Sequence, residues 1–206
     1  VPFVDGTDIN QWNKFITQET KVVFFECISN PTLEVIDIKA VTDIAKSVGA
    51  LTVVDHVFTT PIFSNALSLG ADVVVYSATK HIDGQGRTLG GVILGSGDYI
   101  RNTVEPFMKH TGGSMSPFTG WVLLKGLETL DLRVHAQSDS ALEIAKSLIG
   151  HESISSVIYP GLETHPQYDL CREQMEKGGT VIAFELLGGK EAAFSLMNSL
   201  ELVLIS

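Results

Sequence analysis

Ala71-Asp72-Val73-Val74-Val75-Tyr76-Ser77-Ala78-Thr79-Lys80-His81 reads as a buried strand after a break at Gly70. Its apolar, β-branched run ends abruptly in two hydroxyls and a lysine. In an open α/β sheet the ligand crevice lies outside the carboxyl ends of the strands, so Lys80 leaves its strand where a ligand would sit. A lysine there is either a nucleophile or a solvated surface charge, the usual state of a lone lysine.

A second strand narrows the choice. Leu51-Thr52-Val53-Val54-Asp55 is another short apolar run that ends in a charge, and residues 61–69 are long enough for a crossover between the two. The resulting βαβ unit sets the strands parallel and brings Asp55 and Lys80 to one crevice. Acid and amine are then either a structural ion pair or parts of a binding site. Ser77 and Thr79 favour a site, because two hydroxyls beside free backbone N–H groups suit a phosphate. Lysine for a Schiff base, carboxylate for a pyridinium nitrogen and hydroxyls for a phosphate together match the needs of pyridoxal phosphate (PLP).

The wording of these segments adds a resemblance. Val53-Val54-Asp55, Thr60-Pro61 and Tyr76-Ser77-Ala78-Thr79-Lys80-His81-Ile82-Asp83-Gly84-Gln85-Gly86-Arg87 resemble the Cys/Met-metabolism family of PLP enzymes. That family holds cystathionine γ-synthase, the cystathionine lyases, methionine γ-lyase and the homoserine-ester sulfhydrylases. Lys80 to Arg87 is most similar to the O-succinylhomoserine sulfhydrylases. The likeness continues through Gly120-Trp121-Val122-Leu123-Leu124-Lys125-Gly126-Leu127-Glu128-Thr129-Leu130 and His165-Pro166-Gln167-Tyr168. It implies an aspartate aminotransferase-like, fold-type I α/β architecture. A mostly parallel sheet has helices on both faces, and a smaller carboxyl-terminal α+β domain begins after it.

The resemblance also implies roles. Lys80 is the catalytic residue and carries PLP, Asp55 pairs with the ring nitrogen, and Ser77 and Thr79 hold the phosphate. Asn30, in Glu26-Cys27-Ile28-Ser29-Asn30-Pro31, matches the residue near the cofactor's phenolic oxygen; by spacing alone it serves equally as a turn residue before proline. Cys27 and Ile28 depart from the family pattern. So does His56, where relatives usually carry Asn; it reads as structural, but it can be charged near neutral pH and could disturb the surroundings of Asp55. The implied reaction is γ-replacement on an O-succinyl- or O-acetylhomoserine. The substrate amine displaces Lys80, the freed lysine moves protons at the α and β carbons, and sulfide or cysteine replaces the ester. Homocysteine or cystathionine results. The alternatives are γ-elimination, or a non-catalytic α/β binding module in which Lys80 is only half of an ion pair.

Outward from the site, composition sets limits. With 206 residues, 44% of them hydrophobic, the chain can bury a real core. Fourteen Lys and Arg against 24 Asp and Glu give a net charge of −10, which repels nucleic acid and anionic lipid; the small amino-acid partner is what the resemblance implies. Cys27 and Cys171 stand far apart, outside any Cys-x-x-Cys pattern. Neither a metal site nor a disulfide is expected, and a cytoplasmic protein with reduced thiols is. No apolar run reaches the length of a membrane span. The start at Val1, without Met, suggests an interior piece of a longer chain. The resemblance implies that further cofactor-binding groups precede Val1, that a substrate-binding arginine follows Ser206, and that the protein is a tetramer built of dimers.

The remaining periodicities alternate as in α/β proteins. A short helix is expected over 9–16, a strand over 22–26, and a helix whose Ile38, Val41, Ala45 and Val48 recur at helical spacing before Gly49. Gly84 to Gly91 is neither a dinucleotide nor a P-loop fingerprint and feeds a strand over 91–94. Arg87 in it either faces a substrate anion or is solvated. Helices are expected over 116–132, carrying Trp121, Leu124 and Leu127 in a region that the resemblance implies packs the cofactor domain, and over 138–148, with strands over 155–159, 180–187 and 200–205. The change of domain is set at Ala136, giving 1–135 to the PLP-binding domain and 136–206 to the smaller one.

Overall fold

The computed structural model describes residues 1–204. Asp8 accepts the Asn10 N–H and caps α1 (Ile9–Phe15), which leads into β1 (Val22–Glu26). Asp37 caps α2 (Ile38–Ser47) by accepting the Ala40 N–H, and Gly49, at φ +75°, turns the chain into β2 (Leu51–Asp55). The crossover to β3 (Val73–Ser77) contains α3 (Thr60–Phe63), a single turn. Pro61 starts that helix, but the extended backbone of Ser64 stops it, and residues 66–70 continue as turns where a longer helix was expected.

β1, β2 and β3 are parallel, with Phe24 opposite Val53 and Val53 opposite Val73. β4 (Gly91–Gly95) returns antiparallel beside β3, giving the order β1-β2-β3-β4. The sheet is thus mixed and mostly parallel. Val23, Phe25 and Val54 are buried against Ile38, Val41 and Ala45 of α2 and Trp12 of α1 in one core, whereas Val22 and Phe24 of β1 stay exposed.

After β4 come α4 (Gly97–Tyr99), a π-helical stretch over Ile100–Val104 and α5 (Glu105–Thr111), an unbroken helical arm that the sequence reading did not include. Gly112, in the left-handed region at φ +75°, ends it. The helix expected over 116–132 is divided. α6 (Pro117–Leu127) stops at Glu128, and α7 (Leu130–Leu148) begins after Thr129 and absorbs the helix expected over 138–148. α6 packs through Val122, Leu123 and Gly126, whereas Trp121, Leu124 and Leu127 are about half exposed.

β5 (Ile154–Ile158) pairs antiparallel with β6 (Ala183–Leu186), and α8 (Tyr168–Gln174) lies between them in sequence. α9 (Gly189–Ser199) follows. Residues 200–204 are irregular, with bends at 201–203 and Leu202 and Leu204 exposed, so no strand forms there; Ile205 lies outside the described residues. Ala136 lies inside α7, and Cys171 and Met175, which follow it in the chain, join the core of β1 to β3.

Candidate active site

The parallel register aligns the strand ends. Glu26 stands opposite Asp55 and Asp55 opposite Val75, so the last residues of β1, β2 and β3 share one edge of the sheet. Along β2 the side chains alternate: Thr52, Val54 and then His56 are buried, while Leu51, Val53 and Asp55 face the less covered side. Asp55 Oδ1 accepts the Val57 N–H at 3.1 Å. Among the described residues Oδ2 has no donor, so one carboxylate oxygen is open to a cationic N–H.

β3 ends at Ser77 and the chain turns sharply through a π-helical Ala78–Ile82. At Lys80 the backbone leaves helical geometry (φ −83°, ψ −114°), and the side chain is exposed. Lys80 and Asp55 do not pair with each other, and among the described residues Lys80 forms no ion pair, contrary to the structural ion-pair alternative. Ser77 is half-buried. The Thr79 hydroxyl accepts the Gly90 N–H at 3.1 Å, while its nearest acceptor, the Gly90 carbonyl, is 3.5 Å away. It donates to that carbonyl only over this long distance, so an anion can compete for the hydroxyl proton.

The turn is fastened on several sides. Asp83, fully buried, accepts the Arg87 N–H at 2.7 Å and Arg87 Nε at 2.9 Å. Burial pushes the Asp83 carboxyl up, but the Arg87 backbone and guanidinium with the Gln85 N–H outweigh it and hold the carboxyl below its ordinary value. Arg87 is therefore neither a free substrate contact nor simply solvated. His81 Nε2 shares a 2.6 Å hydrogen bond with the Thr180 hydroxyl, and Arg133 donates to the His81 carbonyl. Sequence reasoning missed Arg133 and Thr180, since nothing local ties residues 52 and 99 positions away to this turn.

Asn30 lies in an exposed turn beyond β1, before a cis bond to Pro31, and its N–H donates to Glu26 Oε2 at 3.0 Å. Elements from the second half of the chain hold this loop. His165 Nε2 meets the Leu33 carbonyl at 3.0 Å, Val35 N–H donates to Gln167 Oε1 at 3.4 Å, and Gln174 Nε2 donates to the Ile36 carbonyl at 2.8 Å. His165-Pro166-Gln167-Tyr168, known from the sequence only as a likeness, thus fastens the loop that carries Asn30.

The departures are absorbed by packing. His56 has no exposure, and its Nδ1 shares a 3.0 Å hydrogen bond with the Tyr76 hydroxyl. Burial lowers its pKa to about 4, so it is neutral at neutral pH, and it lies on the face opposite Asp55. The expectation that His56 could carry charge beside Asp55 is corrected. Thr59 donates its hydroxyl proton to the His56 carbonyl at 2.9 Å, so the 3.5 Å contact with Cys27 Sγ uses the thiol proton. Burial raises that thiol to about 12. Ile28 is buried and bridges to Val35.

The shared edge therefore gathers an exposed amine, a half-buried carboxylate with one open oxygen, and two hydroxyls, with Asn30 in the adjacent turn. This donor set fits PLP: each polar part of the cofactor has a counterpart among these groups, and only the long Thr79–Gly90 bond would have to give way. A cavity of about 560 Å³ lies elsewhere, between α7, the end of β5 and α8, and contains none of these residues. Its lining mixes Asp139, Glu163 and Glu176 with Lys146, Arg172 and Lys177, with no convergent set for one ligand.

Comparison with known proteins finds relatives along the whole chain. The family described as Cys/Met metabolism PLP-dependent enzyme matches residues 1–206. The chain is 51% identical to an O-succinylhomoserine sulfhydrylase of Mycobacterium tuberculosis, over 99% of this chain and 51% of that protein. It is 40% identical to an L-methionine gamma-lyase of Porphyromonas gingivalis, over 98% and 51%. The structure of cystathionine gamma synthase from Xanthomonas oryzae pv. oryzae in complex with cystathionine superposes with a TM-score of 0.94 at 35% identity, covering 98% of this chain and 52% of that one. The chain spans about half the length of the curated relatives it matches. On the strength of a match along its whole length and of this strand-end arrangement, the chain belongs to the Cys/Met metabolism family of PLP-dependent enzymes.

Proposed function

We propose that the protein catalyses γ-replacement on a homoserine ester, O-succinyl- or O-acetylhomoserine, with sulfide or cysteine, giving homocysteine or cystathionine. The observation that carries this reading is the unpaired Lys80 at the same sheet edge as Asp55. The likeness to O-succinylhomoserine sulfhydrylase supports the choice of reaction. PLP, when bound, supplies an electron sink next to the substrate α carbon.

The chain's own residues do the rest. Lys80 holds the cofactor, and its amine, once displaced, takes and returns protons at the α and β carbons; its exposure leaves it room to reach both. Asp55 directs its open oxygen at the ring nitrogen and keeps that nitrogen protonated. Ser77 and Thr79 would donate to the phosphate, and Asn30 would meet the phenolic oxygen. In this reading 1–135 belong to the PLP-binding domain and 136–206 to the smaller one, with α7 as a helix common to both. The protein works as a tetramer of paired dimers in the cytoplasm, a compartment that suits two buried free thiols.

A second reading, γ-elimination, is favoured by the likeness to L-methionine gamma-lyase. Product analysis with O-succinylhomoserine, with and without sulfide, separates them. Homocysteine as the main product in the presence of sulfide supports replacement; an α-keto acid and ammonia as main products under the same conditions would establish elimination.

A further inference from the structure

We propose that Arg133 is the positioning residue for the Lys80 amine, an assignment that rests on the cofactor reading above. Arg133 sits half-buried in the first turn of α7, outside the strands and turns that carry the site residues. Its Nη1 donates to the His81 carbonyl at 2.9 Å and its Nη2 to the Gly126 carbonyl at 2.8 Å, with the Ile82 carbonyl at 3.4 Å. Nε donates to the Thr129 hydroxyl at 3.0 Å. His81 and Ile82 directly follow Lys80, where the backbone departs from helical geometry and no regular ladder fixes the carbonyls. A planar guanidinium can hold carbonyls from two segments at once; an ammonium cannot reproduce that fork.

The surroundings are cut to this contact. A methyl group at Gly84 would overlap the Arg133 guanidinium, and one at Gly126 would overlap the Ile82 carbonyl oxygen. Two glycines thus open the slot in which α6, α7 and the lysine turn meet. Among the described residues Arg133 forms no ion pair with a carboxylate, so its partners are these carbonyls and one hydroxyl. The orientation of Lys80 is thereby set from α7, outside the sheet that carries the site.

The test compares the protein with its Arg133→Lys and Arg133→Met variants. Each is mixed with PLP and reduced with borohydride, and labelled peptides are counted by mass spectrometry. Labelling of Lys80 is expected to slow by about 10-fold in Arg133→Lys and about 100-fold in Arg133→Met, the scale of a 1 Å misplacement, with exposed Lys109 unchanged. The pH at which the visible absorbance of the bound cofactor changes is expected to move in both variants. In the unloaded protein the Gly84 amide, which donates to the Lys80 carbonyl at 2.7 Å, is expected to exchange faster. If Arg133→Met fails to fold, Arg133→Lys decides. Wild-type labelling and an unmoved pH midpoint in the folded variants overturn the assignment, and loss of fold in both makes Arg133 purely structural and overturns it as well. Absence of label at Lys80 in the unaltered protein defeats the cofactor reading and this assignment with it; a labelled parent with unaffected variants defeats the assignment alone.

Discussion

Lys80 and Asp55 carry separate tasks, and single substitutions distinguish them. Lys80→Ala is expected to remove single-site attachment of PLP and to lower turnover by about 10²–10⁴-fold, the usual worth of a positioned acid–base group. Asp55→Asn keeps the shape and loses the charge, so attachment is expected to persist while turnover falls by about 10²-fold or more. Both are read from steady-state rates beside borohydride trapping. His56 sets a pH dependence of stability. Its pKa is near 6.5 unfolded and about 4 folded, so the unfolded state binds more protons between those values. Stability is full above the unfolded value and is lost as pH falls, by about 2 kcal/mol at pH 5. Urea melts at pH 7 and pH 5 measure that slope. It is expected to shrink in His56→Asn without vanishing, because burial also lowers His81 and His165. Lys80, Asp55, Ser77 and Thr79 were legible in the sequence because each stands at or just beyond the end of a β-branched run. The neutrality of His56 was not, since it follows from complete burial, which no local pattern announces.

At the level of elements, the contact between α6 and the lysine turn is the most exacting. Gly126 leaves no room for a side chain against the Ile82 carbonyl. Gly126→Ala is expected to destabilise by about 1–3 kcal/mol, the usual cost of overpacking. For a chain of this size that lowers Tm by roughly 2–4 °C per kcal/mol, which a thermal melt resolves. A melt unchanged within error would mean that α6 moves away freely. The strands β1 and β2 were legible to the residue, because apolar runs of five residues bounded by turn signals have few other uses. The break at Thr129 was not legible. Leu130 continues the apolar pattern of α6, and only the docking of Arg133 and Val134 gives the new direction of α7 a reason. Over 200–204 the expected strand does not form for a related cause: apolar composition was present, but a strand also needs a partner edge.

For the whole molecule, the two halves of the chain are interlocked. His165, Gln167 and Gln174 hold the Asn30 loop, Thr180 holds His81, and Cys171 and Met175 complete the core of the sheet. A chain ending at residue 135 is therefore expected to unfold at lower urea and less cooperatively than the full 206 residues, whatever its sheet retains. An equally sharp transition in the shorter chain would mean that the later contacts are dispensable. The α/β class was legible from alternating periodicities, whereas these attachments, more than 90 residues apart in sequence, leave no local pattern. The central claim is that this interlocked frame presents Lys80 to PLP. Borohydride reduction of the protein with PLP, followed by peptide mapping beside the Lys80→Ala variant, tests it most directly. Stoichiometric label on Lys80 alone, absent from the variant, is the expected result; label scattered over surface lysines, or equal in the variant, would contradict it.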